Sequence, residues 1–296
     1  MSVQPLRILM QREPASVSPC YNYCLWPYEP LHALIPQSQA PLALLLHSFE
    51  IAGVATIGRR IVESLLLILG PAKTVFGIKS IHGQPCWEFY FYDYECRNRS
   101  LPTARVLEFF AEVFGCRIEL AEDIPYFMFS VELTLQQLLS RQAFEGVTLY
   151  LGNPGGTLFG GKSYLITPQN PELVFQNVYH FYNPAADQAD MLQHIQSSYH
   201  LAQLVEVSAS PLHRSYANCE TTCFAHKRSA DGIYFAGIPI GYLIDFLSDF
   251  KQLGYMLEYL LSHASQFDHL LFDVGFDCAL VGGNLIFPKV SLYGFF

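Results

Sequence analysis

The feature that most constrains this chain is a strand-turn-strand-helix unit that recurs along it, each copy carrying one basic residue in an otherwise aromatic or apolar strand. The clearest copy is CFAHKRSADGIYFAGIPIGYLIDFLSDF, Cys223–Phe250. CFAHK reads as a strand, SADG as the turn, IYFAGI as the return strand and YLIDFLSDF as an amphipathic helix. VFGIKSIHGQPCWEFYFYDY (Val75–Tyr94), with a helix from Pro102 to Phe114, repeats the pattern. So do GVTLYLGNPGGTLFGGKSYLIT (Gly146–Thr167) and the C-terminal LLFDVGFDCALVGGNLIFPKVSLYGFF. Hairpins joined by short turns are antiparallel and cannot make a parallel sheet, which needs long crossovers. They can close into a barrel with helices outside and every second strand residue in the lumen. The expected fold class is therefore α+β, a closed antiparallel barrel surrounded by helices, with an aromatic wall and a few inward cations. Such a lumen suits a ligand with an apolar body and an anionic head.

No charge run or low-complexity tract divides the chain, so residues 1–296 read as one domain, with 1–40 an irregular lead-in containing a short helix near Tyr28–Leu34. Leu42–Leu69 is the most helical stretch and Gly70-Pro71 stops it. Further helices are expected at Leu135–Ala143, Asp187–Tyr199 and Tyr242–Ser262, the last broken near Gly254. The apolar runs Leu42–Leu46 and Leu65–Leu69 are far shorter than the roughly 18 residues of a bilayer span, so no membrane partner is expected. MSVQPLRILMQREP lacks the pattern of a signal peptide, and a cytoplasmic protein is expected. The net charge is −9 and no Lys/Arg run exceeds two, which argues against a nucleic-acid partner. Cys20/Cys24 and Cys219/Cys223 are CxxxC pairs, but no zinc signature completes them, so reduced thiols are expected and no metal ligands are assigned. No phosphate-loop, GxSxG, HExxH or GxGxxG motif is present, and Asp245/Asp249 falls on a surface-like helix.

Lys79, Lys162, Lys227 and Lys289 each lie in or beside a strand near a turn. They read either as cations converging on a diphosphate or as solvent-facing strand positions. Tyr150, Tyr164, Tyr234 and Tyr293 sit mid-strand in different copies. Their faces can shield a cation, and Tyr is equally a favoured strand residue. Glu50, at the end of the apolar run LALLLHSFEIAG, is either a structural carboxylate or an acceptor-orienting group facing a cavity.

Three stretches resemble the aromatic prenyltransferases with the αββα barrel, and among them the cyanobactin-type enzymes that prenylate ribosomal macrocyclic peptides. HSFEIAGVATIGRRIVESLLLIL (His47–Leu69) is similar to the family's early segment, placing Glu50 on its glutamate. FAHKRSADGIYFAGIPIGYLIDFLSDF (Phe224–Phe250) is similar to the late hairpin, placing Lys227 on its lysine, and His269–Phe296 is similar to the closing hairpin. The resemblance implies about ten strands and transfer of a C5 or C10 isoprenyl group from dimethylallyl or geranyl diphosphate, with Mg²⁺, to an aromatic side chain of a macrocyclic peptide. It implies a diphosphate site of Lys79, Lys162, Lys227 and Lys289 with Arg60 (or Arg59), tyrosines around the allyl cation, Glu50 orienting the acceptor and Thr221 in the prenyl pocket. Two other classes stay open: a non-catalytic barrel carrying an isoprenoid, lipid or pigment, and an interaction protein with exposed aromatics.

Overall fold

The structure is a computed structural model that describes residues 21–23, 26–28, 40–71, 73–93, 101–121, 123–152, 160–202, 204 and 219–296. A small hairpin of β1 (Tyr21–Tyr23) and β2 (Trp26–Tyr28) comes first, so Tyr28 is in a strand; the rest of the helix expected near it lies outside the described residues. Ten strands then form one closed barrel: β3 (Val75–Ile81), β4 (Gln84–Tyr92), β5 (Tyr126–Thr134), β6 (Val147–Gly152), β7 (Gly160–Thr167), β8 (Asn170–Tyr182), β9 (Thr221–His226), β10 (Asp231–Pro239), β11 (Leu271–Val281) and β12 (Asn284–Phe295). Each strand pairs antiparallel with the next in sequence, and β12 closes on β3 from Lys289↔Ile81 to Phe295↔Val75. Closure removes the free edges that an open sheet would leave. Two of the turns show why the strands reverse tightly. His82-Gly83 between β3 and β4, and Gly282-Gly283 between β11 and β12, all have positive φ, the pair of left-handed residues that two-residue hairpin turns require.

Seven helices lie among the described residues: α1 (Ala40–Ile51), α2 (Ala55–Leu69), α3 (Thr103–Phe114), α4 (Leu135–Ser140), α5 (Gln188–Ser197), α6 (Ile240–Asp249) and α7 (Gly254–His263). The continuous helix expected over Leu42–Leu69 is thus two helices. Gly53 takes φ +72° after α1, and the chain doubles back so closely that a Cβ on Gly58 of α2 would lie 2.3 Å from the Phe49 ring of α1. The break expected near Gly254 is present as a 3₁₀ turn, Lys251–Leu253, between α6 and α7. Gly146–Thr167 does form a strand pair, β6 and β7, but it joins two hairpin units, and its helix, α4, precedes it.

The apolar core lies between sheet and helices, not inside the barrel. On α3, Val106, Phe109, Phe110 and Val113 recur at helical spacing and are buried against the barrel. The Phe110 ring lies 6.3 Å from each of Phe89 and Phe91, both outward-facing on β4. Phe76, Ile78, Trp87, Phe129, Phe235, Val274 and Leu292 belong to the same layer. The alternate residues of these strands, Gly77, Lys79, Glu88, Tyr90, Tyr234, Gly275, Asp277 and Tyr293, therefore face the lumen. That period of two explains how β3, nearly all buried, can hold both Ile78 and Lys79: its two faces meet different environments.

Candidate active site

The lumen encloses a cavity of about 360 Å³, bordered by side chains from β3–β12 and by Gln137 of α4, Glu145 and Gly146. Five tyrosines form a belt around it. Ring centroids are 6.3 Å apart for Tyr234 and Tyr293, 5.9 Å for Tyr293 and Tyr90, 6.4 Å for Tyr90 and Tyr150, and 5.9 Å for Tyr150 and Tyr179. Glycines across the sheet make room for the rings. A Cβ on Gly275 would come within 2.2 Å of Tyr234 Cδ1, and one on Gly77 within 2.9 Å of Tyr293 Cε1.

Two charged nodes line the lumen beside these tyrosines and adjoin each other, since Lys79 of β3 and Lys289 of β12 share a face two positions apart on paired strands. At the first, Lys79 Nζ donates to Glu88 and, at 2.7 Å, to Glu132 Oε2. Glu88 also accepts from Tyr90 and Ser130 and, at 3.4 Å, from the Tyr150 hydroxyl. Burial alone pushes the Glu88 carboxyl upward, but the Lys79 charge and the bonds from Lys79, Ser130 and Tyr90 outweigh it and hold the group below its usual range. Burial pulls Lys79 down, and Glu132 and Glu88 more than reverse it, leaving the ammonium well above its ordinary value. At the second node, Lys227 Nζ donates to both oxygens of Asp277 at 2.6 Å, and Lys289 Nζ lies 3.4 Å from Asp277 Oδ1. The Tyr234 hydroxyl accepts from Lys227 at 3.1 Å and from Lys289 at 2.9 Å. One carboxylate here serves two ammoniums. Burial and the like charge of Lys289 overcome the attraction of Asp277, so Lys227 is pushed down to about 7. Lys289 is also buried but goes up, since Asp277, Tyr293 and Glu132 all favour its charge. Burial raises Asp277, and the two lysines outweigh it, keeping the carboxyl low. Burial first, then the adjacent carboxylates, raises the phenols of Tyr90, Tyr150 and Tyr234, while burial takes Tyr179 up to about 12; all serve as neutral hydroxyls.

Of the residues singled out from the sequence, Lys79, Lys227, Lys289, Tyr150, Tyr234 and Tyr293 converge on this lumen. Others do not. Glu50 ends α1 on the outer layer, 51% exposed, and accepts from Arg59 Nη2 at 2.6 Å, so it cannot face an acceptor in the barrel. Arg60 is exposed on α2, outside the barrel wall. Lys162 borders the cavity but is exposed, and it alternates with Gly161 and Ser163 on β7, whose register faces the inward residues Tyr179 and Asn177 of β8. Tyr164 lies on the outer face, where its ring meets Phe175 edge-on at 5.9 Å. Thr221 opens β9 with the inward parity of Cys223 but lies outside the cavity lining. Sequence reasoning missed Glu88, Glu132, Asp277, Tyr90 and Tyr179. Alternation offered a signal for some: Glu88, Tyr90 and Tyr92 share one face of WEFYFY, and Asp273, Gly275 and Asp277 one face of FDVGFDC.

Cys86, Cys116, Cys219, Cys223 and Cys278 are free thiols; Cys20, Cys24, Cys96, His213 and residues 153–159 of the glycine-rich loop lie outside the described residues. Asp245 and Asp249 are exposed on α6. Among the described residues no grouping of His, Cys, Asp and Glu could hold a metal ion, and Glu88, Glu132 and Asp277 are each engaged by lysine. The described side chains therefore do not fit a protein-held Mg²⁺. No helix among the described residues is long and apolar enough to cross a membrane. Compared with known families and curated proteins, the chain matches no family model and no curated sequence.

Proposed function

We propose that this barrel is an aromatic prenyltransferase, transferring an isoprenyl group from an allylic diphosphate to an electron-rich aromatic side chain of a peptide. The observation that carries the reading is the joining of an ammonium pair, Lys227 and Lys289, to a run of five tyrosines in a cavity of about 360 Å³. A volume of this order suits a small ligand. An allylic diphosphate has the matching anatomy, a strongly anionic head and an apolar body that becomes cationic on ionisation. The head joins Asp277 at Lys227 and Lys289, whose two ammoniums face that one carboxylate and stabilise the departing pyrophosphate as the C–O bond breaks. The allyl fragment then lies against tyrosine faces, which attract positive charge and, as neutral phenols, are poor nucleophiles. The acceptor ring attacks C1, and the proton lost on rearomatisation passes to a lumen carboxylate. Glu88 and Glu132 take the orienting role that resemblance gives to Glu50. Any Mg²⁺ would be held by the diphosphate oxygens.

A carrier of an apolar isoprenoid or pigment is the less supported reading. Lys79, Glu88 and Asp277 are buried in the lumen with Lys227 and Lys289 half-buried beside them, and buried charges of this kind usually cost stability compared with apolar side chains. The test is mass spectrometry of the protein incubated with Mg²⁺, dimethylallyl or geranyl diphosphate, and macrocyclic peptides containing Trp, Tyr or His. Gain of one isoprenyl mass, lost in Lys289→Met, supports the reading. Folded protein giving no gain with any pair refutes it.

A further inference from the structure

Outside the barrel, three imidazoles from three elements meet beneath α5. His180 of β8 and His226 of β9 point outward, alternating with the lumen residues Tyr179, Phe181 and Cys223, and His194 of α5 comes down onto them. Ring centroids are 5.0 Å apart for His180 and His194, 5.5 Å for His180 and His226, and 4.6 Å for the stacked pair His194 and His226. The His194 ring also stacks on Phe224 at 4.9 Å. Its Nδ1 pairs with the Tyr182 hydroxyl at 2.9 Å, whereas its Nε2 is buried with no hydrogen-bond partner among the described residues. A neutral ring protonated on Nδ1 leaves a bare nitrogen there, but an imidazolium needs an acceptor for both N–H groups.

One carboxylate faces the cluster, and it is shared. Asp231 of β10 lies 3.0 Å from His226 Nδ1 and also accepts from the hydroxyl of Ser198, the residue that ends α5. Burial raises the Asp231 carboxyl, but the bonds from His226 and Ser198 outweigh it and hold the group low. The other ionisable groups around α5 are Tyr182, Asp187 and Asp190 at the start of the helix, which act on the Tyr182 phenol, and His200 beyond its end, whose Nδ1 accepts from Leu280 N at 3.0 Å. Burial, then His226 and His180, push His194 down to about 4 against the pull of Asp231. Burial and then His226 lower His180.

We propose that this cluster is an acid-sensitive latch, which holds α5 on the barrel wall while its rings are neutral and releases the helix when they take up protons. Little else holds α5 down, since its buried side chains are Met191 and Ile195. Protonation sets like charges side by side with one carboxylate to serve them, and release returns each imidazolium to water. The sign follows from His194. Its folded value lies below the ordinary 6.5, so its contribution to closure is whole above 6.5 and is lost as pH falls toward about 4. From His194 alone, opening of α5 is about 30-fold more frequent at pH 5 than at pH 8. The latch lies outside the lumen and does not depend on the prenyl-transfer reading.

The test is hydrogen–deuterium exchange mass spectrometry of the full chain at about pH 8 and about pH 5, with protection factors corrected for the intrinsic exchange rate at each pH. In wild type, protection across Gln188–Ser197 is expected to fall about 30-fold while β8 and β9 keep theirs. His194→Phe, which keeps a ring against His226 and Phe224, should leave α5 equally protected at both pH values. Wild-type α5 whose protection changes less than about threefold overturns the proposal, whatever the fate of the variant. So does the full acid loss in folded His194→Phe. Parallel loss across β8 and β9 overturns it too, because that is unfolding of the barrel and not release of one helix.

Discussion

Replacing Lys79 by Met removes the ammonium from between Glu88 and Glu132, which then face each other across β4 and β5. Glu88 is only 5% exposed, so water cannot take over the lysine's role. Leaving a buried charge without its partner costs about 3–5 kcal/mol. For 296 residues the unfolding entropy is roughly 0.6 kcal/mol per kelvin, so the expected fall in melting temperature is about 5–8 °C at neutral pH. The sign of the pH dependence follows from Glu88. In the wild type its carboxyl is held low, giving stability that is lost only as pH falls through that lowered value. In the variant, burial acts without Lys79 and raises the carboxyl above its unfolded value, so the fold loses stability as pH rises through the raised value. The gap between variant and wild type should therefore narrow on going from about pH 8 to about pH 5. Thermal unfolding followed by circular dichroism at both pH values measures it, and Lys79→Met/Glu88→Gln should recover much of the loss. A fall under about 2 °C, or a gap that does not change with pH, would show that Glu88 is not the charge that Lys79 holds in place.

Other outcomes follow from the same geometry. Lys227→Met and Lys289→Met should each weaken pyrophosphate binding at least about tenfold by calorimetry, since each removes one charge-assisted donor. Because the Lys227 ammonium sits at about 7, wild-type affinity should fall as pH rises through that value, with a proton taken up on binding; Lys227→Met should lose this component. Gly275→Ala should displace the Tyr234 ring, whose Cδ1 is 2.2 Å from the new Cβ, destabilising the fold by about 1–3 kcal/mol and lowering pyrophosphate affinity. Glu50→Gln should leave the proposed prenyl transfer unchanged and alter stability by no more than about 1 kcal/mol in denaturant unfolding, as expected for an exposed pair with Arg59.

The hairpin units were legible because their causes are local: period-two strands, left-handed turn residues at His82-Gly83 and Gly282-Gly283, and the 3.6-residue spacing of Val106, Phe109, Phe110 and Val113. Those signals also marked Lys79, Lys227 and Lys289, single cations in apolar strands where a charge needs an explanation. The failures have an equally physical cause. Glu50 precedes a strongly apolar helix and looked poised over a cavity, but Gly53 ends α1 and turns the chain, so the carboxylate meets Arg59 outside the barrel. Tyr164 and Tyr150 look alike in sequence; strand parity sends one into the lumen and the other to Phe175 outside. Asp277 and Lys289 are register partners within one hairpin, and Lys79 and Glu88 lie in another, but Glu132 and Lys227 reach these pairs from 53 and 50 residues away, so the pairing of successive hairpins brings them in. Local pattern by itself determined that this chain would make antiparallel hairpins backed by helices. Which way each polar residue faced, and which charge each one met, was decided by register and closure, because a side chain's environment in a barrel is set by strands that are distant in sequence.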